Sequence, residues 1–284
     1  MIKSEKLRQD VTKSGSLHSF LDFDGLIFLD SGGFQAMVLE ITIELKSLVK
    51  IYKIAKADYY FSLDYPSLTM TNSKKKIELT IKNYAQLKKE IEDVIPIVHP
   101  DLSRALFEYE AYRKHNPKVV AVGGLVPLML SSRGISNGRK HAIDLIAEIR
   151  MRHNGFLHVM GLGAPTVVPI LNVLGCFSTD SAAWRIKAAH GKIMLPNCGE
   201  RYVSRRGAKF GIVTLSDEER RLIDGLKCPI LKEFGWEGLQ ESFQVRALFN
   251  AWITLHAPRI PNELGGPFSN LQKYAREKML KENI

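Results

Sequence analysis

Short apolar runs rich in β-branched and aromatic residues alternate with longer stretches whose apolar positions recur at helical spacing. The runs at 26–30, 59–64, 94–99, 119–124, 156–161 and 175–180 predict strands. Two weaker runs lie at 193–195 and 210–213. Between them the pattern predicts helices over about 41–55, 73–93, 103–115, 137–152 and 165–174. This alternation implies a parallel sheet with helical crossovers. Six to eight such units predict an α/β fold of the (β/α)8 TIM-barrel type, with a doubly wound open sheet as the alternative. No Gly-x-Gly-x-x-Gly follows a strand and no Walker loop is present, so the common nucleotide-binding signatures are missing. From about residue 215 the chain becomes charged and helical: 217–225, then 236–256, a Pro/Asn/Gly-rich turn over 258–267, and a terminal helix. One domain over 1–284, with 215–284 as a helical C-terminal appendage, is the simplest organisation.

Composition adds bounds. The 284 residues are 45% hydrophobic and 25% charged, an ordinary globular balance. No apolar run approaches the roughly 18 residues of a membrane span, and the start, Met-Ile-Lys-Ser-Glu-Lys, lacks the apolar core of a secretory leader. Cys176, Cys198 and Cys228 are too few and too scattered for a disulfide framework. A reducing, cytoplasmic setting is therefore expected, in a bacterial or phage-infected cell. The net charge of +10 favours polyanionic partners. Its distribution sharpens this. Arg185, Lys187, Lys192, Arg201, Arg205, Arg206 and Lys209 share one stretch in which Glu200 is the only acid. The stretch reads either as a solvated basic face or as a surface that tracks phosphates.

The chemistry gathers where the predicted strands end. In parallel-sheet proteins ligands bind at the carboxyl ends of strands. Here those ends carry Asp30, Asp64, His99, the pair Gly123-Gly124, Met160-Gly161, and Asp180. A single acid in such a place usually caps a helix. Three acids, each finishing an apolar run, point instead to a shared site. After Asp30 come Ser31, Gly32, Gly33, Phe34 and Gln35. The glycines permit a turn and a close approach to a ligand. Phe34 offers a flat face to a planar ring, and Gln35 a donor and an acceptor.

These motifs resemble the tRNA-guanine transglycosylase superfamily. Asp30-Ser-Gly-Gly-Phe-Gln35 is similar to its signature and Phe61-Ser-Leu-Asp64 to its second acidic motif. Ala121-Val-Gly-Gly-Leu125 resembles its glycine pair and His158-Val-Met-Gly161 its Met-Gly turn. Asp180 falls where the family carries its nucleophile. The resemblance runs in order from residue 26 to residue 180 and implies a (β/α)8 barrel. The chain also departs from the tRNA enzymes. Their Cys-x-Cys-x-x-Cys cluster and later His, which hold a structural zinc, are not reproduced: Cys228 stands alone, and Cys198 and His256 supply only a weak alternative set. No cofactor is expected. His99 stands where the tRNA enzymes tend to show glutamine, and Asp180-Ser-Ala-Ala-Trp184 replaces their pattern around the nucleophile. That segment, the short stretch before the first motif and the basic body look more like the DpdA-type enzymes, which place 7-deazaguanines in DNA.

The resemblance implies a role for each residue. Asp180 would attack the sugar carbon as guanine leaves, giving a covalent glycosyl-enzyme that an incoming base displaces. Asp30 would manage the proton of the departing or entering ring. Asp64 would accept from the ring N–H and exocyclic amine of a guanine-like base. Ser31, His99 and the amides of Gly123 and Gly124 would read the opposite edge, and Phe34 and Met160 would sandwich the ring. His158 is expected to pack or to orient a neighbour. Trp184 and Tyr202 would stack on an unpaired nucleotide, and Arg185, Lys187, Arg201, Arg205 and Arg206 would hold phosphates. The expected function is a DNA-guanine transglycosylase that inserts a base such as 7-cyano-7-deazaguanine, with DNA and helper proteins that open the duplex as partners and no membrane. A tRNA-guanine transglycosylase and an inactive nucleic-acid-binding barrel are the alternatives.

Overall fold

Strands in the first part of the chain lie beside one another in chain order. The computed structural model describes residues 4–66, 74–129, 137–196, 198–205, 213–260 and 267–281. Along the chain the elements are α1 (Glu5–Ser14), α2 (Leu17–Leu21), β1 (Phe28–Leu29), α3 (Gly33–Val38), α4 (Leu45–Ala55), β2 (Tyr59–Phe61), α5 (Lys74–Glu90), β3 (Val94–Ile95), β4 (Ile97–Val98), α6 (Leu102–Arg113), β5 (Val119–Val122), α7 (Val126–Met129) and α8 (Gly138–Arg152). Then follow β6 (Phe156–Val159), α9 (Val168–Val173), β7 (Ser178–Thr179), α10 (Ala183–Ala189), β8 (Lys192–Leu195), β9 (Gly199–Tyr202), α11 (Asp217–Gly225), α12 (Pro229–Glu241), α13 (Phe243–His256) and α14 (Pro267–Lys281). The chain divides into two units: Met1–Leu125 with Met151–His158, and Val126–Arg150 with Val159–Ile284.

In the first unit β1 pairs in parallel with β2, and β2 with β3. Likewise β4 pairs in parallel with β5, and the Phe156 N–H at the start of β6 donates to the Lys118 carbonyl. This order, with helices between strands, is that of the expected (β/α)8 class. The run expected at 94–99 forms two short pieces because Pro96 has no N–H to give the ladder. The Pro96 carbonyl still accepts from Ala121 N–H at 2.9 Å. Strand β5 is buried along its whole length, which explains its unbroken Val-Val-Ala-Val. Two buried tyrosines tie helices to strands: the Tyr52 hydroxyl donates to the Phe61 carbonyl at 2.6 Å, and the Tyr112 hydroxyl to that of Ile97 at 3.2 Å. The helices α1 and α2 were not anticipated, because only Val11 and Leu17 bury fully along them. Their serine caps, Ser4 and Ser16, were the available signal.

The second unit is mostly helical after β7, as the composition of the C-terminal part predicts. Ser216 and Glu219 form a capping box that starts α11 over the expected residues. The helix expected over 236–256 is two helices, because Ser242 adopts an extended conformation and caps α13 through Val245 N–H. The run at 193–195 is part of β8, which pairs antiparallel with β9 as a hairpin. It is therefore not a further parallel strand. Most of the run expected at 210–213 lies outside the described residues. No helix among the described residues is long and apolar enough to cross a membrane.

Two buried polar residues on α13 lock this unit. The Arg246 guanidinium donates to the carbonyls of Ala188, Leu239 and Gln240. Fully buried Asn250 donates to the carbonyls of Trp184 and Lys192 and accepts from Met194 N–H at 2.7 Å. Arg246 thereby joins the ends of α10 and α12, and Asn250 joins the start of α10 to β8. Asn250→Ala removes three buried hydrogen bonds and is expected to destabilise the protein by about 2–4 kcal/mol, measured by urea unfolding.

Candidate active site

Asp30 follows β1 and is exposed, whereas the next residue, Ser31, is fully buried. Gly32 takes the left-handed conformation, φ 80°, and turns the chain into α3. The Gly33 N–H donates to the Ser31 hydroxyl at 3.3 Å. Gly33 is required by space rather than by φ. A Cβ there would lie 2.6 Å from Asp64 Oδ1 and 2.8 Å from the Asp64 carbonyl oxygen. The first and second acidic motifs therefore touch, and the glycine makes that approach possible. Phe34 and Gln35 are exposed on α3, with half of the Phe34 surface open to solvent. A cavity of about 340 Å³ is lined by Asp30, Ser31, Gly32, Gln35 and Tyr52 among others. Gly123 is buried and its N–H donates to the Val98 carbonyl, whereas Gly124 is exposed.

Asp64 is 9% exposed and does not stand alone. Its Oδ2 lies 3.0 Å from His99 Nε2. On the other side of the ring, His99 Nδ1 lies 3.0 Å from both carboxylate oxygens of Glu108. The His99 N–H donates to Glu108 Oε2 at 2.9 Å. Arg104 closes the chain: its Nε donates to Glu108 Oε1 at 2.8 Å, and an Nη donates to the Tyr65 carbonyl. The side chains of His99, Glu108 and Arg104 are all within 2% of full burial. Burial alone would lower the His99 pKa, but the hydrogen bonds and charges of Asp64 and Glu108 outweigh it and raise the ring above its ordinary value.

The expectation that His99 reads the edge of a base gives way here, because both of its ring nitrogens are already held by carboxylates. Glu108 and Arg104 were not anticipated. Their signal was an Arg-x-x-x-Glu pair on the helix after the His99 strand, at the spacing that stacks side chains on one helix face. His158 packs as expected, its ring 5.0 Å from that of Phe61 and 5.6 Å from that of Phe28.

The second unit holds Met160, Gly161 and Asp180. Gly161 has φ 75°, and its N–H donates to Asp180 Oδ1 at 2.9 Å. The Asp180 carbonyl accepts from Gly163 N–H, and Thr179 Oγ1 donates to the Val159 carbonyl at 2.6 Å. Two turns thus fix an exposed carboxylate by one oxygen. Met160 is half-buried beside it in sequence.

The basic stretch is less open than its sequence suggests. Lys187 and Lys192 both pair with Glu200 at 2.6 Å. Burial would raise the Glu200 pKa, but these two ammonium groups hold it below its ordinary value. Arg201 gives its guanidinium to Glu219, with Nε 2.9 Å from both oxygens. Arg205 reaches Glu241 at 3.5 Å. Glu219 and Glu241 come from α11 and α12, outside the stretch, so counting acids along the sequence missed them. Arg185 is exposed, while Trp184 and Tyr202 are half-buried. Arg206 lies outside the described residues.

Cys228 is 2% exposed within an apolar cluster of Ile193, Leu195, Ile223 and Phe249, and Cys198 packs against the same cluster. His256 stacks on Trp252, and its Nδ1 lies 2.8 Å from the Trp252 carbonyl oxygen. Among the described residues no group of three or more His, Cys, Asp or Glu is placed to hold a metal ion. This donor set does not fit a four-ligand zinc site.

With these acids and glycine turns at its strand ends, the chain matches the family model of queuine tRNA-ribosyltransferase (TGT) over residues 2–257. The chain belongs to this family. It is 28% identical over 210 residues to the tRNA-guanine(15) transglycosylase of Methanosphaera stadtmanae, covering 69% of this chain and 30% of that protein. It is 29% identical over 200 residues to the enzyme of the same name from Nanoarchaeum equitans, covering 67% and 47%. An uncharacterized protein of Sulfolobus islandicus rod-shaped virus 1 is 25% identical over 228 residues, covering 80% of this chain and 69% of the viral protein. The chain thus spans under half the length of the two archaeal relatives.

A methyl group at position 33 must displace backbone at Asp64. Gly33→Ala is expected to destabilise the protein by about 1–3 kcal/mol in urea unfolding, as overpacking of a closed contact does.

Proposed function

We propose that this protein exchanges guanine in a nucleic acid for a guanine-like base, and that the nucleic acid is tRNA. Family membership and the names of the archaeal relatives support base exchange on tRNA. The observation that carries the chemistry is Asp180: an exposed carboxylate after β7, with one oxygen fixed by the Gly161 amide. Its other oxygen attacks C1′ of the target nucleotide. The bond from C1′ to guanine N9 breaks, and its electron pair leaves with the base. A glycosyl ester on Asp180 results. Asp30 gives a proton to the departing ring, takes one from the entering base, and so ends as it began. The entering ring nitrogen attacks C1′ and releases the Asp180 carboxylate.

In this reading Asp64 accepts from the ring N–H and exocyclic amine of the base, an edge that presents only donors to a carboxylate. Ser31 and the Gly124 amide serve the opposite edge, and Phe34 offers its exposed face to the ring; the Gly123 amide takes no part, because it already donates to the Val98 carbonyl. Arg185, with Arg205, Trp184 and Tyr202, serves the neighbouring nucleotides. A second reading, exchange in DNA for a 7-deazaguanine, is favoured by the Asp180-Ser-Ala-Ala-Trp184 segment and by a donor set that does not fit the zinc site of the tRNA enzymes. In DNA the target must be flipped or single-stranded, and helper proteins would open the duplex.

Radiolabelled guanine offered with separate pools of unmodified tRNA, duplex DNA and single-stranded DNA tests both. Label is expected in tRNA, and Asp180→Asn is expected to lower its incorporation by at least about 10³-fold, the scale of losing a nucleophile. Label in DNA alone selects the second reading. Incorporation that survives in Asp180→Asn removes Asp180 as the nucleophile.

A further inference from the structure

Resting on the guanine reading of the site, we propose that His99, Glu108 and Arg104 are positioning residues. Together they aim the Asp64 carboxylate, and guanine recognition fails when His99 becomes neutral.

The geometry requires the charge. His99 Nε2 faces Asp64 Oδ2 and His99 Nδ1 faces Glu108, each at 3.0 Å. A neutral imidazole has one N–H and one lone pair, so it would turn a lone pair onto one carboxylate. An imidazolium donates to both. The four groups then sum to zero: Asp64 and Glu108 negative, His99 and Arg104 positive. A buried set of charges persists when it is paired and hydrogen-bonded in this way. Two further donors complete the fit: the His99 backbone N–H and the Arg104 side-chain Nε both donate to Glu108.

Other titratable groups nearby do not supply the charge. Tyr112, also on α6, donates its hydroxyl to the Ile97 carbonyl, and burial holds its pKa well above its ordinary value. Tyr84 on α5 packs on Tyr112 at 5.0 Å, and burial pushes its pKa up to about 12. Both stay neutral in the physiological range.

The sign of the pH effect follows. The folded state holds the His99 proton more tightly than the unfolded chain does. The quartet's contribution is full below about pH 6.5, the ordinary histidine value, and is lost as pH rises through the raised folded value. A role confined to packing carries no such dependence for ligand affinity.

The test uses the full chain labelled with ¹⁵N-histidine. Nuclear magnetic resonance follows the His99 ring through a pH titration, assigned by its loss in His99→Gln. Calorimetry measures guanine affinity on the same samples. His99 is expected to stay doubly protonated at pH 7 with a midpoint above 6.5. Glu108→Gln is expected to lower that midpoint by at least about one unit, a tenfold loss of proton affinity. Guanine affinity is expected to fall at least about tenfold across the same midpoint, and the fall is expected to move to lower pH in Glu108→Gln. A midpoint at or below 6.5 overturns the proposal. So does guanine affinity that stays flat across the midpoint while circular dichroism shows the variant folded. A wild-type protein with a raised His99 midpoint that binds no guanine at any pH instead overturns the guanine reading itself.

Discussion

Two carboxylates buried around one imidazole set the terms for the first unit. Asp64 and Glu108 approach His99 from opposite sides, and Arg104 balances the second acid. Such a group cannot lose one member without leaving another charge unpaired away from water, which costs several kcal/mol. Its geometry is set by ordinary elements. Strand β2 runs out into Asp64, β4 runs out into His99, and Asp101 caps α6 so that Arg104 and Glu108 face inward. Gly33 then fits against Asp64 because it has no side chain. Asp64 and its supports are in this way built from the ends of consecutive strands and the helix that follows them.

The second unit solves a different problem. Asp180 is exposed, yet its carboxylate is held in place. The Gly161 amide holds one of its oxygens, and Thr179 and Gly163 tie the two turns together. Behind them, Arg246 and Asn250 satisfy the carbonyls of α10 and β8 from the single helix α13. The helical C-terminal part is therefore a scaffold for the segment after Asp180.

Much of this was legible from the chain. Strand periodicity located β1, β2, β5, β6 and β7, and the acids at their ends marked Asp30, Asp64 and Asp180 before any contact was known. Other features were hidden for definite reasons. Pro96 splits a run that reads as one strand, because a missing N–H leaves no trace in an apolar pattern. Ser242 breaks what reads as one long helix, although a serine before an apolar turn is a usable cap signal. The antiparallel course of β8 depends on its partner β9, which periodicity does not reveal. Above all, His99 reads as a ligand-binding residue when its partners are unknown. Its role depends on Glu108, nine residues on in the chain and in contact only through the fold. Glu219 and Glu241 neutralise Arg201 and Arg205 in the same non-local way.

Guanine affinity in Asp64→Asn, set beside affinity for hypoxanthine, which lacks the exocyclic amine, tests the central claim most directly. If a carboxylate held by His99 reads a donor edge, calorimetry will find guanine about tenfold to a hundredfold tighter than hypoxanthine on the wild-type protein, the scale of one hydrogen bond to a charged group. In Asp64→Asn that preference will collapse. Equal affinity for the two bases on the wild-type protein, or an unchanged preference in the folded variant, would contradict it.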